Sequence, residues 1–98
     1  MWIRIDLVDN YFVTEVNIVT GSPFVAMTRI NILTKPDTGN VNPVNHKSYW
    51  KSVYYEESGL SEWNVDIRPA SYSLYVAVVR ESYGGLTLSE VEVFGYGE

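Results

Sequence analysis

The stretch "GGLTLSEVEVFG", residues 84–95, decides how this chain is read. A β-strand sends successive side chains to opposite faces. Val91 and Val93 therefore point one way, and Glu90 and Glu92 the other. Leu86 and Leu88 have the parity of the glutamates, so one face carries two leucines and two carboxylates. Two readings account for this. Either the strand is buried on both faces at its start, or a cation gathers the carboxylates.

Outward from this stretch the period of two persists. Ile3, Ile5 and Leu7 alternate with Trp2, Arg4 and Asp6, and Asp9-Asn10 has turn chemistry. "YFVTEVNIVT" places Val16 and Ile18 on one face, and "TRINILT" does the same with Ile30 and Ile32. "KPDTGNVNPVN" reads as the longest loop, with Pro36 suited to a turn and Asn42 held extended by Pro43. "SYWKSVYY" is β-prone through its aromatics, and "WNVDIRP" is a short strand ended by Pro69. "SLYVAVVR" (73–80) looks buried on both faces. No segment sustains helical periodicity, and no repeat is present. About six or seven strands at roughly 8–14-residue spacing predict an all-β, antiparallel sandwich or barrel.

Length and composition bound the function. The 98 residues argue for a single domain, 1–98, with a modest core. A net charge of −5 disfavours nucleic acid and anionic membrane surfaces as partners. The chain has no cysteine and one histidine, which excludes disulfides, thiolate catalysis and Cys-type metal sites. The opening "MWIRIDLV" is not read as a signal peptide, because Arg4 and Asp6 interrupt any apolar run. Glu90 and Glu92 would stand about 7 Å apart, within the inverting-glycosidase range. No cleft motif surrounds them, however, and the chain is not expected to be an enzyme.

The residues also resemble a family. "WIRIDLVDNYFVTEVNIVT" is similar to the tryptophan–basic–acidic strand and the strand after it in F-type lectins (fucolectins) and coagulation-factor type C, or discoidin, domains. "SLYVAVVR" and "LTLSEVEVFG" resemble the two closing strands of F-type lectins, with Ser89 where those lectins usually have cysteine. The resemblance implies a galactose-binding-like jelly roll that binds fucose- or galactose-containing glycans without catalysis. Its alternative is a protein-interaction or membrane-docking module on the same scaffold, and it suggests an extracellular setting. The family's upstream strand, with its sugar-binding histidine and most calcium ligands, would precede Met1, so the domain reads as truncated at its N-terminus.

Position by position, the family's first sugar-binding arginine corresponds to Gly21, its adjacent aspartate roughly to Pro23, and its paired cysteines to Phe24 and Val25. Arg29 keeps the second basic position. The fucose site is therefore expected to be degenerate, with Gly21, Phe24, Val25 and Arg29 as ligand-binding candidates. By the same resemblance the Ser89 carbonyl and the Glu90 carboxylate help hold a structural calcium ion, which takes oxygen ligands. "TGSPFVAMTR" carries the apolar chemistry of a membrane-contacting spike in the loop that separates the two functional readings.

Among other candidates, His46 lies in a polar loop and is expected to be solvated. Trp2, Trp50 and Trp63 are expected to pack in the core, and Tyr49, Tyr54 and Tyr55 to flank the long loops. Arg4 and Asp6 share a face and are expected to form an ion pair. A sheet edge left open by the missing strand predicts self-association as a homo-oligomer.

Overall fold

The computed structural model describes residues 1–21, 27–81 and 86–97. The elements in chain order are β1 (Trp2–Thr20), β2 (Ile30–Lys35), β3 (Lys51–Glu56), β4 (Glu62–Arg80) and β5 (Leu88–Tyr96), with a short 3₁₀ turn at Lys47–Tyr49. All pairings are antiparallel, in the order β3-β2-β4-β1-β5. The fold is all-β, as the alternation predicted, but with five strands rather than six or seven.

The difference lies in β1 and β4, each of which absorbs two predicted strands. Nineteen residues drawn straight would run about 60 Å, whereas the molecule measures 38 Å along its longest axis. Both strands must therefore bend. In β1 the bend falls between Asp6 and Tyr11, where pairing to β4 is interrupted. Val8 takes φ 72° there, and its N–H is held by Asp6 Oδ1 at 2.7 Å. In β4 a second, separate interruption opposite Thr14 of β1 spans residues 67–70, which include Pro69. Proline has no N–H to give to a ladder, so it is tolerated at such a break.

Bending divides the sheet into two layers. One contains β3, β2, the second half of β4 (Tyr75–Val79) and the first half of β1 (Trp2–Asp6). The other contains the first half of β4 (Glu62–Asp66), the second half of β1 and β5. Ile30, Ile32, Val76 and Val78 from the first layer pack with Val16, Ile18, Trp63 and Val65 from the second in one buried cluster. A sheet folded over so that its two halves pack face to face in this way is a β-sandwich.

The second half of β4 is buried on both faces, as "SLYVAVVR" predicted. Val76 and Val78 face the core, while Ala77 and Val79 form a second cluster with Leu33 and Trp50. The loop before β3 covers that outer cluster. It is anchored by Trp50 Nε1 donating to Asn40 O at 3.1 Å and by Arg4 Nη1 donating to Val41 O at 3.1 Å. Arg4 also lies over the Tyr75 ring, 5.4 Å from its centroid. The expected Arg4–Asp6 pair is thus replaced: Arg4 turns to the loop and Tyr75, and Asp6 holds the β1 bend.

β5 answers the question raised by its leucines and glutamates. Ile18 pairs with Val91 and Val19 with Glu90, but Thr20 pairs with Leu88, so Ser89 is an extra residue in the ladder. A one-residue bulge reverses side-chain parity. Leu86 and Leu88 consequently pack on the same core cluster as Val91 and Val93, while Glu90 and Glu92 are exposed. Neither double-sided burial nor a cation is needed to explain the stretch. The bulge is held by Ser89 Oγ donating to Thr20 O at 2.9 Å.

Candidate functional site

The loop-bearing end of the sandwich is closed by backbone bonds between distant segments. Thr20 N donates to Ser61 O, Gly21 N to Thr87 O, Met27 N to Leu60 O and Glu81 N to Arg29 O. Met27 is fully buried beneath this end. Arg29 stands just before β2 with φ 57° and its side chain exposed. Its Nε donates to Tyr55 Oη at 3.2 Å. That hydrogen bond, followed by attraction to Tyr55, Glu57 and Glu81, holds the guanidinium pKa above its ordinary value. The positive charge is permanent, and tyrosine fixes where it points.

A pocket of about 550 Å³ opens beside Arg29, on the outer side of the first layer. Leu33, Val79 and Pro43 form its apolar wall, and Arg29, Lys47 and Glu81 are among its polar groups. Lys47 and Glu81 form an ion pair across it. The volume falls in the range of small-ligand sites, which combine an apolar surface with a few placed polar groups. At the end of β3, Glu56 accepts from the Ser58 hydroxyl and from Tyr54 Oη at 2.8 Å. The Ser58 contact, then the Tyr54 bond, pulls the Glu56 pKa below its ordinary value. Burial, then the bond to Glu56, raises that of Tyr54.

The candidates from sequence fall as follows. Arg29 lines the pocket. Gly21 is buried at the same end and packs closely against Thr87, since a Cβ there would come within 2.4 Å of Thr87 Cγ2. Phe24 and Val25, with Pro23 and the tip of the apolar loop, lie outside the described residues. Ser89 and Glu90 sit on the β5 bulge. Calcium takes six to eight oxygen ligands, and no group of three or more acidic or histidine side chains is gathered among the described residues. Calcium also accepts backbone carbonyls, such as that of Ser89, so Ser89 and Glu90 stay candidates for it by the resemblance.

Trp63 and Trp50 are buried and Trp2 half-buried, as expected. His46 and Tyr49 are exposed on the long loop, and Tyr55 is committed to Arg29. Sequence reasoning missed a row of aromatics on the outer face of the second layer. Tyr72, Phe12 and Tyr96 are cross-strand partners on β4, β1 and β5. The Phe12 ring lies 4.9 Å from that of Tyr72 and is stacked on that of Tyr96 at 5.2 Å. Parity placed each of them on a face, but only the strand register brings them together.

No protein-family model matches the chain, and no curated protein matches it. Among solved structures it is similar to chitosan-binding module 1 derived from a chitosanase/glucanase of Paenibacillus sp. IK-5. The identity is 26% and the TM-score 0.73, over 96% of this chain and 67% of that one. The chain is thus similar to a β-sandwich carbohydrate-binding module, a broader grouping than the F-type lectins and discoidin domains.

Proposed function

We propose that this protein is a non-catalytic carbohydrate-binding module. The observation that carries the reading is its likeness to a chitosan-binding module over nearly its whole length. The pocket at Arg29 supports it. A guanidinium pre-set by Tyr55 can donate several hydrogen bonds to sugar hydroxyls, and Leu33, Val79 and Pro43 offer apolar surface to a sugar ring. With Gly21 in place of the family's first arginine, a fucose site would retain only Arg29 of the basic pair. Neutral glycans, fucosylated and galactosylated ones included, are the ligands suited to this pocket, and chitosan belongs in the same screen because the solved neighbour is named for it.

The test is a glycan array followed by titration of each positive ligand against Arg29→Gln. Arg and Gln are both unbranched at Cβ and meet a similar backbone cost at φ 57°, so this variant removes the charge and the donor fork while leaving the loop intact. Binding about tenfold weaker at an unchanged melting temperature is expected. An array with no positive glycan would end the carbohydrate reading.

A further inference from the structure

We infer that the outer face of β4, β1 and β5 is a second glycan-binding surface, built for a cationic polysaccharide, a polymer of amino sugars, and separate from the Arg29 pocket. The inference rests on the carbohydrate-binding reading and adds the place and the charge of the ligand. The register defines the face. Its first row is Tyr72–Phe12–Tyr96, its next Asp66–Glu15–Phe94, then Asn64–Asn17–Glu92, and last Glu62–Val19–Glu90. Strands about 4.8 Å apart make the face about 10 Å wide, and the seven-residue step from Phe12 to Val19 makes it about 23 Å long. Those dimensions accommodate several linked sugar rings lying along the strands.

Two chemistries meet on this surface. Tyr72, Tyr96 and Phe94 are exposed, although rings of this size are generally drawn into a core or an interface. Aromatic faces of this kind suit the C–H faces of pyranose rings. Behind them stand five carboxylates, Glu15, Glu62, Asp66, Glu90 and Glu92. Arg68, beside this face, is salt-bridged to Asp66 at 3.3 Å.

An anionic polymer would be repelled by so many carboxylates, and a neutral one would gain hydroxyl hydrogen bonds but no charge attraction. A chain of protonated amino groups would meet an opposite charge along its whole length, which gives both attraction and orientation. The Arg29 pocket has the opposite character, because Arg29, Lys47 and Arg80 line it against the single carboxylate of Glu81, which pairs with Lys47. The two surfaces therefore select ligands of different charge.

The experiment uses fully deacetylated glucosamine polymer and its neutral N-acetylated counterpart as probes, with binding measured by titration at low and high salt. The deacetylated polymer is expected to bind the more tightly, and to weaken as salt screens the exposed carboxylates. Tyr72→Ala and Tyr96→Ala should each weaken it about tenfold, while Tyr96→Phe retains binding. The pair Glu15→Gln with Glu92→Gln should flatten the salt dependence, and thermal melts establish that each variant is folded. Equal binding of the two polymers, or undiminished binding by the folded aromatic and carboxamide variants, would overturn the inference. If array glycans bind but the deacetylated polymer does not, this surface is refuted and the carbohydrate reading stands. If no glycan binds at all, both fall.

Discussion

Replacing Gly95 with alanine tests the register on which the outer face depends. A Cβ at this position would lie 2.2 Å from Phe12 O, 3.0 Å from Phe12 C and 3.1 Å from Val13 Cα. Carbon atoms pack best about 3.5–4.0 Å apart, so β5 would have to move off β1 by roughly 1 Å. The obstructing atoms are backbone and cannot rotate away. Overpacking of this kind costs about 1–3 kcal/mol. Relief is available because β5 ends at Tyr96, and its last residues can peel from β1. The loss is then limited to the final ladder bonds and the Phe12–Tyr96 stack, an aromatic pair worth about 0.5–1.5 kcal/mol. We expect a destabilisation of about 1–2 kcal/mol, read as a melting temperature lower by about 5–15 °C in a domain of this size. Gly97→Ala is the control, since its Cβ would meet nothing nearer than Tyr11 ring atoms at 3.9 Å. That variant should stay within about 0.5 kcal/mol of the wild type. Urea and thermal unfolding of the two variants would be compared. Equal stability would mean that β5 does not hold this register, which would remove Tyr96 from the aromatic row.

The Ser89 bulge predicts that Leu88→Ala destabilises by about 1–2 kcal/mol, since the side chain is only partly buried. Glu90→Gln and Glu92→Gln should stay within about 0.5 kcal/mol, and the reverse ranking in urea titrations would place the glutamates inward. Glu56 has a folded pKa below its ordinary value of 4.5, so its stabilising contribution is complete above that value and is lost as pH falls through the lowered one. Urea midpoints measured from neutral to acidic pH should therefore fall less steeply in Glu56→Gln than in the wild type, and parallel curves would deny Glu56 this role. If Ser89 and Glu90 hold calcium, as the resemblance implies, millimolar calcium should raise the melting temperature above its value in chelator, and Glu90→Gln should abolish the rise. Superimposable melts in chelator and in calcium would refute that role.

Much of the fold was legible because burial leaves a periodic trace. Alternation along Val16–Ile18 and Ile30–Ile32 marked core-facing strands, and the unbroken apolar run Val76–Val79 marked a strand covered on both sides. A local pattern cannot show that a chain interrupted by turn-forming residues continues as the same strand in a second layer. Asp9-Asn10 and Pro69 looked like strand ends and proved to be the bends of β1 and β4. At the candidate site, Arg29 was legible through the resemblance, which puts the family's second basic residue at that position. Tyr55 was legible as a loop-flanking rim candidate but not as the partner of Arg29, and Lys47 and Glu81 were not legible, since they lie 18 and 52 residues beyond Arg29 and line its pocket only once the loops close.

The sequence by itself determined the all-β class, the identity of most core residues and the acidic character of the chain, since each depends on composition and a short period. The tertiary structure alone decided the face to which Leu86 and Leu88 turn. One extra residue at Ser89 reverses side-chain parity, and a bulge is defined only by the partner strand. It alone also decided that Tyr72, Phe12 and Tyr96, up to 84 residues apart in the chain, form a single row. Pairing register is a relation between strands that no stretch of sequence contains, and it is set by which hydrophobic faces can be buried together.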